Sequence, residues 1–240
     1  MQIVKKIMQK QRDFLSTSGV TIAFLGDSVT QGCFDVYWKP QGSVQTVFHQ
    51  EDSYHRQLAK LLAMLYPAVP FNMINAGISG TTAPMGLERL ERDVLAHNPD
   101  LVVVCFGLND AMSGPERIGA YTDALGEIFS QLCKREIEVI FMTPNMMCTR
   151  VSDHLSHPKI IEIAESAMQI QNNGVLRMYL DEAKKICHDN GVPVCDCYQM
   201  WELMYQNGVQ VTELLSNKIN HPTVEMNWLF AVSLLKTIMS

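Results

Sequence analysis

The chain has 240 residues, 47% of them hydrophobic and 18% charged, with a formal net charge of −6. That length suits one large domain with a substantial core. The acidic balance offers no basic stripe to displace phosphate counterions, which excludes nucleic acid as the expected partner, and no apolar run of about eighteen residues is available to span a membrane. The start, MQIVKKIMQKQRDF, lacks the apolar run and small-residue cleavage site of a secretory signal, so a cytoplasmic protein is expected. Seven cysteines, an odd number without repeated spacing, are expected as reduced thiols.

Residues 1–18 carry a weak amphipathic pattern around Ile3, Ile7 and Met8 and are expected as an N-terminal helical extension packed on the domain, with a homodimer contact as the alternative. Short apolar runs follow at Thr21 to Leu25, Phe71 to Asn75, Leu101 to Phe106, Glu138 to Met142 and Val192 to Cys195, each suited to a buried strand. Helical periodicity fills the gaps, through Tyr54, Leu58 and Leu62, through Leu125, Ile128 and Leu132, and through Leu176, Leu180 and Ala183. The alternation predicts an α/β fold over residues 1–240: a single three-layer α/β/α domain, flavodoxin-like, around a five-stranded, mainly parallel sheet. Ligand chemistry then gathers at the carboxyl ends of the strands. Two long connections, Cys33 to Asp52 and Asn145 to Gln171, are expected as pocket-shaping loops.

The first strand runs into Gly26-Asp27-Ser28-Val29-Thr30-Gln31-Gly32, which puts Ser28 at a strand-to-helix junction whose N–H groups face developing negative charge. Asp and Ser after a strand are also ordinary helix caps. No Lys follows Gly32, the three spaced glycines of a dinucleotide fingerprint are missing, and Thr30 replaces the last glycine of a G-x-S-x-G elbow. The second strand ends in Asn75-Ala76-Gly77-Ile78-Ser79-Gly80, where a turn is the plain reading. The third ends in Gly107-Leu108-Asn109-Asp110, where Asn109 suits either a cap or an oxyanion donor. Asn217-Lys218-Ile219-Asn220-His221-Pro222 then places His221 on a loop before the last helix.

In this order the four signals resemble the GDSL or SGNH hydrolase family over nearly the whole chain from Thr21. The resemblance implies a serine esterase in which Ser28 attacks a small acyl ester, His221 is the general base, and Ser28, Gly77 and Asn109 line the oxyanion hole. It implies no cofactor and no metal; Cys195 and Cys197 have no partner pair at zinc spacing. The family's aspartate three residues before the histidine is replaced by Lys218, with Asn217 one position further back. Three arrangements stay open: the Asn217 carbonyl orients His221, a backbone carbonyl does so in a Ser-His dyad, or catalysis is feeble. A second pair, His157-Pro158 with Asp153 upstream, falls too early in the chain to supply the base.

Among substrates, short acyl esters, acetyl groups on carbohydrates first, are favoured by the polar and aromatic residues Asp35, Tyr37, Trp38 and His49 in the first long connection. Lysophospholipase or thioesterase chemistry by the same residues, or a carbohydrate-binding domain with weak catalysis, are the alternatives.

Overall fold

The computed structural model describes residues 1–240. The N-terminal segment forms α1 (Gln2–Arg12). Its start is held by the Glu138 carboxylate, which accepts the backbone N–H groups of Gln2 (2.7 Å) and Ile3 (2.6 Å). Negative charge thus sits where a helix leaves its first N–H groups without partners. Ile3 and Ile7, one turn apart, are buried.

Next, β1 (Val20–Gly26) runs into the one-turn helix α2 (Ser28–Gln31), followed by β2 (Cys33–Trp38), β3 (Val44–Phe48) and α3 (Tyr54–Leu65). Then come β4 (Phe71–Gly77), the short helices α4 (Ala83–Glu88) and α5 (Leu90–Asp93), β5 (Leu101–Cys105), α6 (Leu108–Ala111) and α7 (Ile118–Lys134). The chain closes through β6 (Glu138–Met142), α8 (Pro158–Asn172), α9 (Val175–Asp189), β7 (Val194–Cys195), α10 (Cys197–Gln206) and α11 (Val224–Met239).

The main sheet is five-stranded in the order β4-β1-β5-β6-β7, every neighbouring pair parallel. On one face α1, α3 and α11 pack together, and on the other α4, α7, α8 and α9. Coverage on both faces explains why the central strands are unbroken apolar runs; every residue of β5 is buried. After β1 the chain adds β4 on one side and then returns to add β5 on the other. The crevice between the carboxyl ends of β1 and β5 is therefore the switch point where such sheets bind ligands.

Two connections differ from their expected form. Cys33 to Asp52 is an antiparallel hairpin of β2 and β3, closed by a turn in which Gly42 takes φ +85° and its N–H meets Lys39 O at 2.9 Å. Most of its side chains are exposed or half-buried, so it carries no two-residue apolar rhythm. Within Asn145 to Gln171, α8 begins at Pro158, with the His157 side chain accepting the Lys159 N–H. Proline at the first helical position was the available signal. β7 keeps only the last two residues of its expected run.

Because Ile7 is 1% exposed and anchors α1, Ile7→Ala is expected to lower unfolding free energy by about 2–4 kcal/mol in urea melts. A loss below about 0.5 kcal/mol would mean that α1 does not pack as described.

Candidate active site

Ser28 is the first residue of α2, directly beyond β1. The junction is tight: a Cβ on Gly26 would lie within 3.0 Å of Cys105 O and of the Thr30 side chain. Asp27 caps the helix by accepting the Val29 N–H at 2.9 Å. The Arg89 guanidinium, behind the junction, donates to Gly26 O and Ala76 O and so ties the ends of β1 and β4 together.

His221 arrives from the far end of the sequence, and its Nε2 lies 2.8 Å from Ser28 Oγ. Both residues are 4% exposed. Several bonds hold the loop that carries the ring. Asn145, just past β6, donates through Nδ2 to Asn220 O, and Cys148 N–H donates to Ile219 O. Asn227 at the start of α11 donates to Thr223 O and accepts the Tyr54 N–H at 2.9 Å, which pins this loop to α3. The Tyr54 hydroxyl in turn lies 2.9 Å from Thr30 Oγ1 on α2. Burial alone pushes the His221 pKa down to about 4, so the ring is neutral at neutral pH.

Of the three arrangements left open, the Asn217 carbonyl oxygen does not face the ring; Asn217 contacts the other ring nitrogen through its own nitrogen, with Nδ2 3.1 Å from His221 Nδ1. Its Oδ1 is engaged elsewhere, accepting the backbone N–H groups of Ile219 (3.0 Å), Asn220 (3.0 Å) and His221 (2.9 Å). Lys218 takes φ +58° between them, and its ammonium turns away to Glu213, 3.1 Å from the carboxylate.

At the next strand end, Gly77 does not offer a free donor. Its N–H is bonded to Asn75 Oδ1 at 3.0 Å, and a Cβ there would strike the backbone of Thr30 and Gln31. Gly77 permits close packing of β4 on α2. Three residues on, Gly80 sits in a turn at φ +78° with open space around its Cα, and its N–H has no partner in the protein. The turn is braced by Ser79 N–H on Gln31 Oε1 (2.7 Å) and Ile78 N–H on Gly26 O (3.1 Å). Asn109, in the one-turn α6 that follows β5, donates through Nδ2 to Thr81 O at 3.0 Å, so its amide borders the same turn. Only backbone conformation distinguishes Gly77 from Gly80, and a tight turn centred on Ile78 to Thr81 was the signal available in sequence.

Two buried carboxyl groups stand behind the site. Burial, reinforced by Asp110, pushes Asp27 up to about 7, and burial pushes Asp110 up to about 6. Asp110 accepts the Ala83 N–H through one oxygen, while the other has no partner.

Beside Asn217 opens a cavity of about 390 Å³ lined by Asp35, Tyr37, Trp38, His154, Ser216 and Lys218 among others. The hairpin thus contributes to the wall as expected of that segment, while Trp38 stacks on His157 at 5.6 Å between ring centroids. His157 has this packing and capping role, remote in sequence from the Ser28 contact made by His221. The Cys195 and Cys197 sulfurs lie 3.7 Å apart in the core, and no group of three or more His, Cys, Asp or Glu converges in ligating geometry.

The titrating groups give opposing pH effects. His221 and His55, both lowered to about 4, stay neutral in the fold while the unfolded chain takes up protons below about 6.5, so their contribution to stability falls as pH drops through that window. Asp27 keeps its proton up to about 7 in the fold, whereas the unfolded chain releases it near 3.8, so its contribution falls as pH rises between those values. Asp27→Asn preserves the cap acceptor, and its Tm advantage over wild type is expected to grow between about pH 4.5 and about pH 8 in thermal melts. An advantage that shrinks or stays constant over that range contradicts the assignment.

Comparison with known proteins gives the family and the fold. The family model described as GDSL-like lipase/acylhydrolase matches residues 24–229. An acetylxylan esterase from Geobacillus stearothermophilus is 34% identical over 93 residues, a match covering 39% of this chain and 41% of that protein. Among solved structures, an acetylxylan esterase from Geobacillus stearothermophilus superposes with a TM-score of 0.68 at 21% identity, over 92% of this chain and 94% of the other. A two-domain esterase active on acetylated mannans superposes with a TM-score of 0.68 at 19% identity. There 99% of this chain covers 52% of that protein, so the chain spans about half its length. With Ser28, the Gly80 turn, Asn109 and His221 at one end of a parallel sheet and a family match across most of its length, the chain belongs to the GDSL-like lipase/acylhydrolase family.

Proposed function

We propose that this protein is a carboxylic ester hydrolase that removes acetyl groups from carbohydrate esters. The observation that carries the reading is the 2.8 Å contact between Ser28 Oγ and His221 Nε2 at the switch point of the sheet. Ser28 attacks the ester carbonyl carbon as its proton passes to Nε2. The carbonyl oxygen takes up the electron pair and is met by N–H groups of Ser28 and Gly80 and by the Asn109 amide. Collapse breaks the bond to the sugar oxygen, which leaves with the proton from His221. Water then attacks the acetyl-Ser28 ester with His221 again as base, releasing acetate and restoring the serine.

The donor set fits an oxyanion for physical reasons. Ser28 N–H is one of the amides that a helix start leaves without an intrahelical partner, and Gly80 N–H has no internal acceptor. Such donors, combined with a buried, neutral imidazole at the same end of the sheet, provide a base and an oxyanion site. For the substrate, the support is the mixed aromatic and polar lining of the cavity beside Asn217 together with the names of the relatives, which act on acetylated xylan and mannan.

With para-nitrophenyl esters of increasing chain length, acetate is expected to exceed octanoate in kcat/KM by about tenfold or more. Ser28→Ala and His221→Ala are each expected to lower kcat by at least about 10³-fold. Release of acetate from acetylated xylo- or manno-oligosaccharides then tests the alcohol side. Preference for long chains would favour lysophospholipase or thioesterase chemistry instead, and activity that survives Ser28→Ala would overturn the mechanism.

A further inference from the structure

The loop from Asn217 to His221 is folded around a single oxygen atom. Oδ1 of Asn217 takes the N–H groups of Ile219, Asn220 and His221, and its Nδ2 gives hydrogens to Asn220 Oδ1 at 3.0 Å and to His221 Nδ1. Every polar atom of the amide is thereby used. Rotating it by half a turn would point its NH₂ at three backbone donors and leave all three without an acceptor in a buried site, which is costly. The backbone therefore fixes which end of the amide meets the ring.

From this geometry we propose that Asn217 holds neutral His221 in the tautomer with its proton on Nε2, and that this side chain limits the esterase by opposing transfer of the Ser28 proton. The inference rests on the esterase reading above. An Nδ2 donor at Nδ1 requires a lone pair on Nδ1, so the single ring proton resides on Nε2 and points at Ser28 Oγ. To accept the serine proton the ring must first present a lone pair at Nε2. Nδ1 then carries the hydrogen and faces the Asn217 NH₂ donor against donor. The imidazolium formed on proton transfer has the same conflict. A triad carboxylate does the reverse, accepting the Nδ1 hydrogen and stabilising the charged ring.

The same loop is shaped for a carboxylate. An oxygen that collects three backbone N–H groups at 2.9 to 3.0 Å lies in the kind of nest that binds anions. In Asn217→Asp one carboxylate oxygen keeps those three donors. The other occupies the Nδ2 position, accepts His221 Nδ1–H, and can take an Nδ2 hydrogen from Asn220 once that amide turns over. No charged side chain hydrogen-bonds to the ring at present, since Lys218 is spent on Glu213.

The test pairs a tautomer measurement with kinetics. In ¹⁵N-histidine-labelled wild type near neutral pH, the NMR cross-peaks of His221, assigned with His221→Gln, are expected to show protonated Nε2 and bare Nδ1. Asn217→Asp is expected to raise kcat on para-nitrophenyl acetate by on the order of 10²- to 10⁴-fold, the inverse of the loss when a triad aspartate becomes asparagine. It is also expected to move the acid limb of the kcat/KM profile upward from near pH 4, because a carboxylate beside Nδ1 favours the imidazolium. Ser28→Ala/Asn217→Asp is expected to be inactive. A wild-type ring protonated on Nδ1, or an active wild type that Asn217→Asp fails to accelerate, overturns the proposal. If wild type and Asn217→Asp are both inert toward every ester while Nε2 is protonated, it is the esterase reading that fails, and the limiting role falls with it.

Discussion

The contact between Ser28 Oγ and His221 Nε2 joins residues 193 positions apart in the chain, and much of the fold serves to bring them together. Burial makes the requirement strict. A hydroxyl and an imidazole withdrawn from water must satisfy each other or cost free energy comparable to lost hydrogen bonds. The serine is placed by β1, by the Gly26 approach to β5 and by the Asp27 cap. The histidine is placed by its loop, which hangs from Asn145 beyond β6 and from Asn227 on α11. Tyr54 links the two halves, since its N–H meets Asn227 and its hydroxyl meets Thr30.

That dependence accounts for the polar groups buried behind the site. Arg89 spans the ends of β1 and β4, its guanidinium donating to the carbonyls of Gly26 and Ala76. Asp27 and Asp110 are held with raised pKa values in the same region, so this end of the sheet already bears the cost of desolvated acids. An amide at Asn217 adds no further charge there. It fills a loop whose three converging N–H groups would suit an aspartate, and what it gives up is the stabilised imidazolium rather than the fold.

The sheet was legible in the sequence because helices cover it on both faces, so runs such as Leu101 to Cys105 contain no polar residue to disguise them. The hairpin of β2 and β3 was not legible, since side chains on both of its faces are partly exposed and no apolar alternation marks it. Ser28 and His221 could be named only through the order of four individually weak signals that resembles the GDSL or SGNH family, since a helix cap and a loop histidine say little alone. The resemblance placed Gly77 in the oxyanion hole and passed over Gly80, because the difference between them is which N–H meets Asn75 and which is left without an acceptor. The departure visible in sequence was Lys218 where the family's acid is expected, with Asn217 one position further back. The end of its amide that faces the ring depends on N–H directions set by the turn at Lys218, where φ is +58°. Composition and spacing hold no trace of that.

The most direct test of a Ser28 nucleophile served by His221 is covalent labelling with a small fluorophosphonate, read by intact mass and peptide mapping. The account predicts a single phosphonyl adduct per chain, on Ser28, formed with loss of fluoride and greatly slowed in His221→Ala. Adducts on other residues only, no adduct at all, or labelling of Ser28 at an unchanged rate without His221 would contradict it.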